Sequence, residues 1–157
     1  MASRLPVLDA ETAKDLMTAS PATVCEDATV KEALALLVDR RISGLPVVNA
    51  EGRPVGVISR ADIVREARKV AEHPRSAAAD FVLHTDGGFE SGYPLETVDH
   101  LPVRRVMVPL VCAVAPETSA IQVVREMLAR EVHRLFVVRD EFLGFISTMD
   151  VLKHLRA

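Results

Sequence analysis

Two short stretches of the sequence hold residue types that could engage a polar ligand. Gly56-Val57-Ile58-Ser59-Arg60-Ala61-Asp62 and Gly144-Phe145-Ile146-Ser147-Thr148-Met149-Asp150 share one order: an apolar run, a serine, and an aspartate three residues later. Ser-x-x-Asp opens a helix, the hydroxyl capping free N–H groups and the carboxylate sitting at the positive end of the dipole. The same geometry suits an anion, because a helix N-terminus presents unpaired donors. An ionised carboxylate one turn in can accept from both hydroxyls of a ribose. Arg60 beside it has the fork that pairs with phosphate. Spacing leaves the capping and ligand readings both open, and they are compatible.

Other chemistries lack their residues. The sequence has no Gly-x-x-x-x-Gly-Lys, Gly-x-Ser-x-Gly or His-Glu-x-x-His. The glycine-rich Gly87–Gly92 stretch reads as a turn. His73, His84, His100, His133 and His154 form no i, i+4 pair, so they predict no metal site. No nucleophile–base pair follows from spacing, and the chain reads as non-catalytic.

The elements that carry the two motifs are repeated. Met17 superposes on Met107 at an offset of 107 − 17 = 90, and with it Val24 on Val114, Arg40 on Arg130 and Leu45 on Leu135. The offset falls to 88 after the turn at Asn49–Val55, so that Gly56, Ser59 and Asp62 superpose on Gly144, Ser147 and Asp150. Each copy has one grammar: strand, helix, strand, strand, helix. Thr29 with Glu32, and Ser119 with Gln122, mark helix starts. Leu34, Leu37, Val38 and Ile42, and likewise Val124, Met127, Leu128 and Val132, predict the buried stripes. Pro46–Val48 with Val55–Ile58, and Phe136–Val138 with Leu143–Ile146, predict hairpins. The copies span 10–70 and 101–157, joined by an insert over 71–100 with turn chemistry. Phe81-Val82-Leu83, Phe89 and Tyr93 could pin the insert down, or it could serve as a loop for a partner. Two units of this size are expected to share one core.

Composition narrows the partners. The chain has 157 residues, with 19 basic and 22 acidic side chains for a net charge of −3. That balance opposes non-specific nucleic-acid binding. Aromatics are 4%, with no Trp and one Tyr, which removes a base-stacking platform. No stretch approaches the ~20 apolar residues of a spanning helix, and no signal peptide is visible, so a cytoplasmic protein is expected. Cys25 and Cys112 read as reduced, small buried hydrophobes.

The whole pattern resembles tandem cystathionine-β-synthase (CBS) domains. Asp15-Leu16-Met17-Thr18, Thr29–Leu34, Arg41–Val48 and Gly56–Asp62 carry the likeness in the first copy. Arg105-Val106-Met107, Val132–Val138 and Gly144–Asp150 carry it in the second. The resemblance implies an α/β (α+β) fold of two pseudo-symmetric domains, each a small sheet with flanking helices, packed sheet to sheet. It implies two clefts for an adenosine-containing ligand (AMP, ADP or ATP, less readily S-adenosylmethionine or NAD), possible Mg²⁺, and a regulatory role toward an enzyme or transporter. In that pattern Asp62 and Asp150 hold ribose, and Ser59, Ser147, Arg60 and Thr148 stand beside it, with Ile58 and Ile146 preceding. Ile42, Ser43 and Gly44, or Val132, His133 and Arg134, line the base from the other domain. Thr18 and Ala22, or Val108 and Cys112, add to the walls. One cleft would pair Asp62 with Val132–Arg134, and the other Asp150 with Ile42–Gly44. The cleft with Asp62 has more positive charge and is expected to be the tighter one. The resemblance further implies a homodimer through the helices at Arg60–Lys69 and Thr148–Leu155, while charge and composition predict no nucleic-acid or membrane partner. Phe136 departs from the family's frequent proline, and the insert is long. A ligand-free interaction module is the alternative.

Overall fold

The computed structural model describes residues 7–72 and 95–156. Most of the expected insert, with its aromatic anchors, lies outside the described residues. Its last part is a turn of 3-10 helix at Leu95–Thr97, after which Val98 is fully buried in the core of the first repeat.

The elements run β1 (Val7–Leu8), α1 (Ala13–Leu16), β2 (Thr18–Ala19), β3 (Val24–Cys25), α2 (Val30–Asp39), β4 (Gly44–Val48), β5 (Pro54–Ser59) and α3 (Arg60–Glu72). After the insert come β6 (Ala113–Val114), α4 (Ala120–Ala129), β7 (Arg134–Val138), β8 (Phe142–Ser147), α5 (Thr148–Lys153) and β9 (Leu155–Arg156). Local chemistry explains several of these boundaries. Thr29 Oγ1 accepts from the Glu32 N–H at 3.3 Å, while the Glu32 carboxylate accepts from the Thr29 N–H at 2.7 Å, closing a reciprocal cap on α2. Ser119 caps α4 through the Gln122 N–H at 3.2 Å, but the Gln122 amide turns along the helix to Glu126 instead. The β4–β5 turn is held by Asn49 Oδ1, which accepts from the N–H groups of Glu51 and Arg53, and by Gly52 at φ +76°.

Strands β3, β4 and β5 form one sheet, and β2, β8, β7 and β6 form another. Strands β3 and β4 are parallel with α2 as the crossover, and β4 and β5 are an antiparallel hairpin; β6, β7 and β8 repeat this. The buried helix stripes keep Leu37 and Met127 of the expected ones, with Leu34, Ile42 and Val132 partly buried beside the cores, and otherwise shift. They are Val30, Ala33 and Leu37 on α2, and Ala120, Val123 and Met127 on α4. Val38 and Leu128 are exposed. Small residues at Ala33 and Ala120 let the helices sit close to the sheets, which turns the larger flanking side chains outward. Cys112 is buried as expected, whereas Cys25 is exposed, contrary to the expectation.

The expected single core is two cores. One holds Leu45, Val47 and Ile58 with α2 and α3, and the other holds Leu135, Val137 and Ile146 with α4. Each sheet buries the face toward its own helices, so two interiors form. The repeats are tied together by exchanged segments. Ala13 and Leu16 on α1 belong to the core of the second repeat, and Val103 and Val106 to that of the first. The docking bonds match one for one under the repeat. The Ala13 N–H donates to the Thr118 carbonyl at 2.7 Å, and the Val103 N–H to the Ala28 carbonyl at 2.8 Å. The Ala120 N–H donates to Glu11 at 2.9 Å, and the Val30 N–H to Leu101 at 2.8 Å.

Candidate functional site

The exchanged segments bring the two Ser-x-x-Asp motifs against the opposite repeat. Thr18 on β2 pairs with Phe145, and Val108 pairs with Val57, the same contact made twice. Both need glycine beside them. A Cβ at Gly56 would stand 2.5 Å from the Val108 carbonyl oxygen, and one at Gly144 would stand 2.4 Å from Met17 Sδ. Gly56 therefore serves close backbone approach, while Gly144 makes room chiefly for the Met17 side chain, with the Thr18 carbonyl oxygen at 3.0 Å.

At each motif the capping geometry is present. The Ser59 N–H and hydroxyl donate to Asp62 Oδ2 at 2.9 and 2.6 Å, and the Asp62 N–H donates to Ser59 Oγ at 3.3 Å. Ser147 and Asp150 repeat this at 2.8, 2.8 and 3.3 Å. The second oxygen, Oδ1, is what each carboxylate has left. Asp62 Oδ1 accepts from Arg65 Nη1 at 2.8 Å, whereas Asp150 Oδ1 lies 4.0 Å from Lys153 Nζ. Asp62 is 7% exposed, and the arginine paired with it sits mostly in water, so a ligand hydroxyl could compete for Oδ1 at modest cost.

A cavity of about 180 Å³ opens next to Asp62, between the repeats. Ser59 and Asp62 line it from the first repeat, and Val132, His133 and Arg134 line it from the second. Val57, Val108, Leu110, Cys112 and Phe136 complete an apolar wall. The pairing of Asp62 with Val132–Arg134 across the repeats thus exists in the structure. Val57, Leu110 and Phe136 escaped the sequence reading. Strand alternation was the available signal for two of them, since Val57 lies two residues before Ser59 and Phe136 two after Arg134, on the same faces.

That alternation also corrects two expected positions. Ile58 and Ile146 are fully buried in the helix-side cores and face away from the cavity. Arg60 lies outside the cavity lining as well. Its guanidinium donates to the Leu37 carbonyl at 3.1 Å, which satisfies the end of α2. Thr148 is exposed, and its hydroxyl donates to the His133 carbonyl at 3.2 Å.

Arg134 is the principal cation of the site. Its Nη2 donates to Ser43 Oγ at 2.8 Å, and its guanidinium lies over Gly44, where a Cβ would come within 2.6 Å of Cζ. Burial pulls its pKa below the usual arginine value, and the nearby Asp62 carboxylate opposes that shift. Thr18 is exposed, while Ala22 and Ile42 are half-buried against the first core. With Ser43 and Gly44 they occupy the positions that the repeat relates to the cavity walls. Among the described residues no cluster of three His, Cys, Asp or Glu side chains could hold a metal. No helix among them is long and apolar enough to cross a membrane.

The family model for the CBS domain matches residues 13–69 and again 103–157. The chain belongs to the CBS domain family. Its two copies are in tandem, and modules of this family are regulatory rather than catalytic. The human 5′-AMP-activated protein kinase subunit gamma-3 is 32% identical over 136 residues, covering 85% of this chain and 24% of the relative. The pig protein of the same name is 31% identical over 136 residues. This chain spans about a quarter of the length of those curated relatives. The CBS domain of a CBS domain containing membrane protein from Sphaerobacter thermophilus superposes with a TM-score of 0.68 at 26% identity, covering 95% of this chain and 90% of that one. CBSX2, solved in complex with AMP, superposes with a TM-score of 0.66 at 24% identity, covering 90% of this chain and 93% of that one.

Proposed function

We propose that this chain is a non-catalytic regulatory module that binds an adenosine-containing ligand in the Asp62 cleft and passes a change in conformation to a partner. The observation that supports this reading is the cavity itself, which draws Asp62 from one repeat and His133 and Arg134 from the other. Its volume of about 180 Å³ is below the ~300–1,000 Å³ of pockets for drug-sized ligands. It suits a base and part of a sugar, with phosphates at the mouth beside His133 and Arg134. The apolar wall of Val57, Val108, Leu110 and Phe136 suits a flat ring, Asp62 Oδ1 suits a ribose hydroxyl, and Arg134 suits a phosphate. A ligand that bridges the repeats binds best to one relative setting of them, and so shifts their populations. The AMP-bound relative and the kinase subunit named for AMP favour AMP as the first probe. We assign the module to the cytoplasm and to a homodimer. Val64 on α3 and Met149 and Leu152 on α5 are exposed apolar side chains available to the dimer surface.

The test is thermal unfolding and calorimetric titration with AMP, ADP, ATP, S-adenosylmethionine and NAD, each with and without Mg²⁺. Ligand at 100 times its Kd stabilises by about 2.7 kcal/mol. Asp62→Ala is expected to weaken binding by about 1–3 kcal/mol, the size of hydrogen bonds to a charged group. Absence of any shift and of any co-purified nucleotide refutes the reading and leaves the ligand-free interaction module.

A further inference from the structure

We propose that the two repeat-related clefts are unequal by construction. The Asp62 cleft takes one adenosine-containing ligand per chain, and Phe145 and Arg134 of the chain itself fill its counterpart beside Asp150. This rests on the nucleotide reading above and adds to it the number of sites and the residues that set that number.

The repeat relation identifies what each position does in each cleft. Val57 lines the Asp62 cavity, and its counterpart is Phe145, because Val57 pairs with Val108 as Phe145 pairs with Thr18. A phenyl ring therefore stands in the counterpart wall where the open cleft has an isopropyl group. That ring is held in place. Phe145 is 7% exposed, and its ring meets Phe136 edge-on at 5.0 Å between centroids. Phe136 in turn lies 5.5 Å from Phe142, so the three rings form one chain of contacts.

The second inequality lies at the starts of β4 and β7. Gly44 stands opposite Ser59, and Arg134 stands opposite Ser147, so the two positions are equivalent. Ser43 and Gly44 are thus the residues that would line the counterpart cleft, as His133 and Arg134 line the open one. They are covered. The Arg134 guanidinium lies over Gly44 and is bonded to Ser43 Oγ at 2.8 Å. The exchange is one-way, because Gly44 has no side chain to send back into the Asp62 cavity. One cleft gains a cation at its edge, and the other loses its floor to that cation and its wall to a ring.

The experiment is calorimetric titration of the full chain with AMP. The expected result is one AMP per wild-type chain, weakened at least tenfold by Asp62→Asn and unchanged within twofold by Asp150→Asn. The double variant Arg134→Gly, Phe145→Val copies Gly44 and Val57 of the first repeat onto the second. It is expected to weaken the Asp62 event, which loses Arg134 from its lining, and to gain a second binding event, which adding Asp150→Asn removes. Two AMP per wild-type chain, or loss of the single event in Asp150→Asn with retention in Asp62→Asn, overturns the assignment. A folded double variant without a second event overturns the role of Phe145 and Arg134. If that variant does not fold, the two aspartate variants still decide which cleft is open. No binding by wild type or by the opened chain fails the nucleotide reading itself, which separates that failure from an error in the number of sites.

Discussion

Adding one methyl group at Gly56 tests whether the exchanged segments hold the repeats together. A Cβ there would stand 2.5 Å from the Val108 carbonyl oxygen, 3.1 Å from Met107 Sδ and 3.2 Å from Pro109 Cα. Two of these neighbours are backbone, so the segment has to retreat by roughly 1 Å to regain ordinary contact. The same Val108 oxygen accepts from the Val57 N–H at 3.0 Å, and the Val108 N–H donates back to Val57 at 2.8 Å. Retreat stretches both bonds. Overpacking costs about 1–3 kcal/mol and each of the two bonds, stretched rather than lost, about 0.5 kcal/mol, so Gly56→Ala is expected to cost about 2–4 kcal/mol. At about 2–4 °C per kcal/mol for a chain of this size, the melting point falls by roughly 4–16 °C. Gly52→Ala is the control, since nothing among the described residues lies within 4 Å of a Cβ there and the cost comes from φ +76°. That cost is about 1 kcal/mol, or roughly 2–4 °C. Melts followed by circular dichroism measure both. A Gly56→Ala melting point within about 1 °C of wild type refutes the reasoning, and so does a larger loss in Gly52→Ala. Because Val108 also lines the cavity, Gly56→Ala is expected to weaken AMP binding where Gly52→Ala does not.

Arg41 and Glu131 follow the helices α2 and α4 at φ 53° and 54°, a left-handed conformation that favours glycine. Arg41→Gly and Glu131→Gly are each expected to leave stability unchanged or raise it by up to about 1 kcal/mol in denaturant unfolding, and a loss above that size counts against the strain. The Thr29 N–H and hydroxyl hold the Glu32 carboxyl below the usual glutamate pKa. A lowered folded pKa gives stability that is complete above the unfolded value and is lost as pH falls through the folded one. Glu32→Gln is therefore expected to flatten the acid side of the melting profile and to leave its alkaline side alone. An unchanged acid slope rules out that contribution.

Much of this molecule is readable from local chemistry. The repeat is visible because the same apolar and glycine positions recur, and a repeat constrains the fold wherever its copies pack. The caps at Thr29 and Ser119, the turn at Asn49–Gly52 and the two Ser-x-x-Asp motifs lie within a few residues of their partners, so spacing alone reports them. The buried faces were less legible. On α2 the periodicity of Leu34, Leu37 and Val38 pointed to one stripe, while the sheet selected Val30, Ala33 and Leu37, because close approach favours the smaller side chains.

What the sequence determined by itself was the pair of units and the residues with ligand chemistry. Tertiary structure decided which of those residues meet. Segments as short as Thr18–Ala19 and Val108 bear no mark of the sheet they join. Their docking onto the opposite repeat depends on contacts from residues far along the chain, Phe145 for Thr18 and Val57 for Val108. That docking builds the wall of the cavity and moves Arg134 over Gly44. It also makes the two copies different in space although they match in pattern. The physical reason is that a repeat specifies equivalent backbones, whereas a cleft is bounded by side-chain volume from both repeats. A single Phe-for-Val or Arg-for-Gly difference is small along the chain and decisive across it.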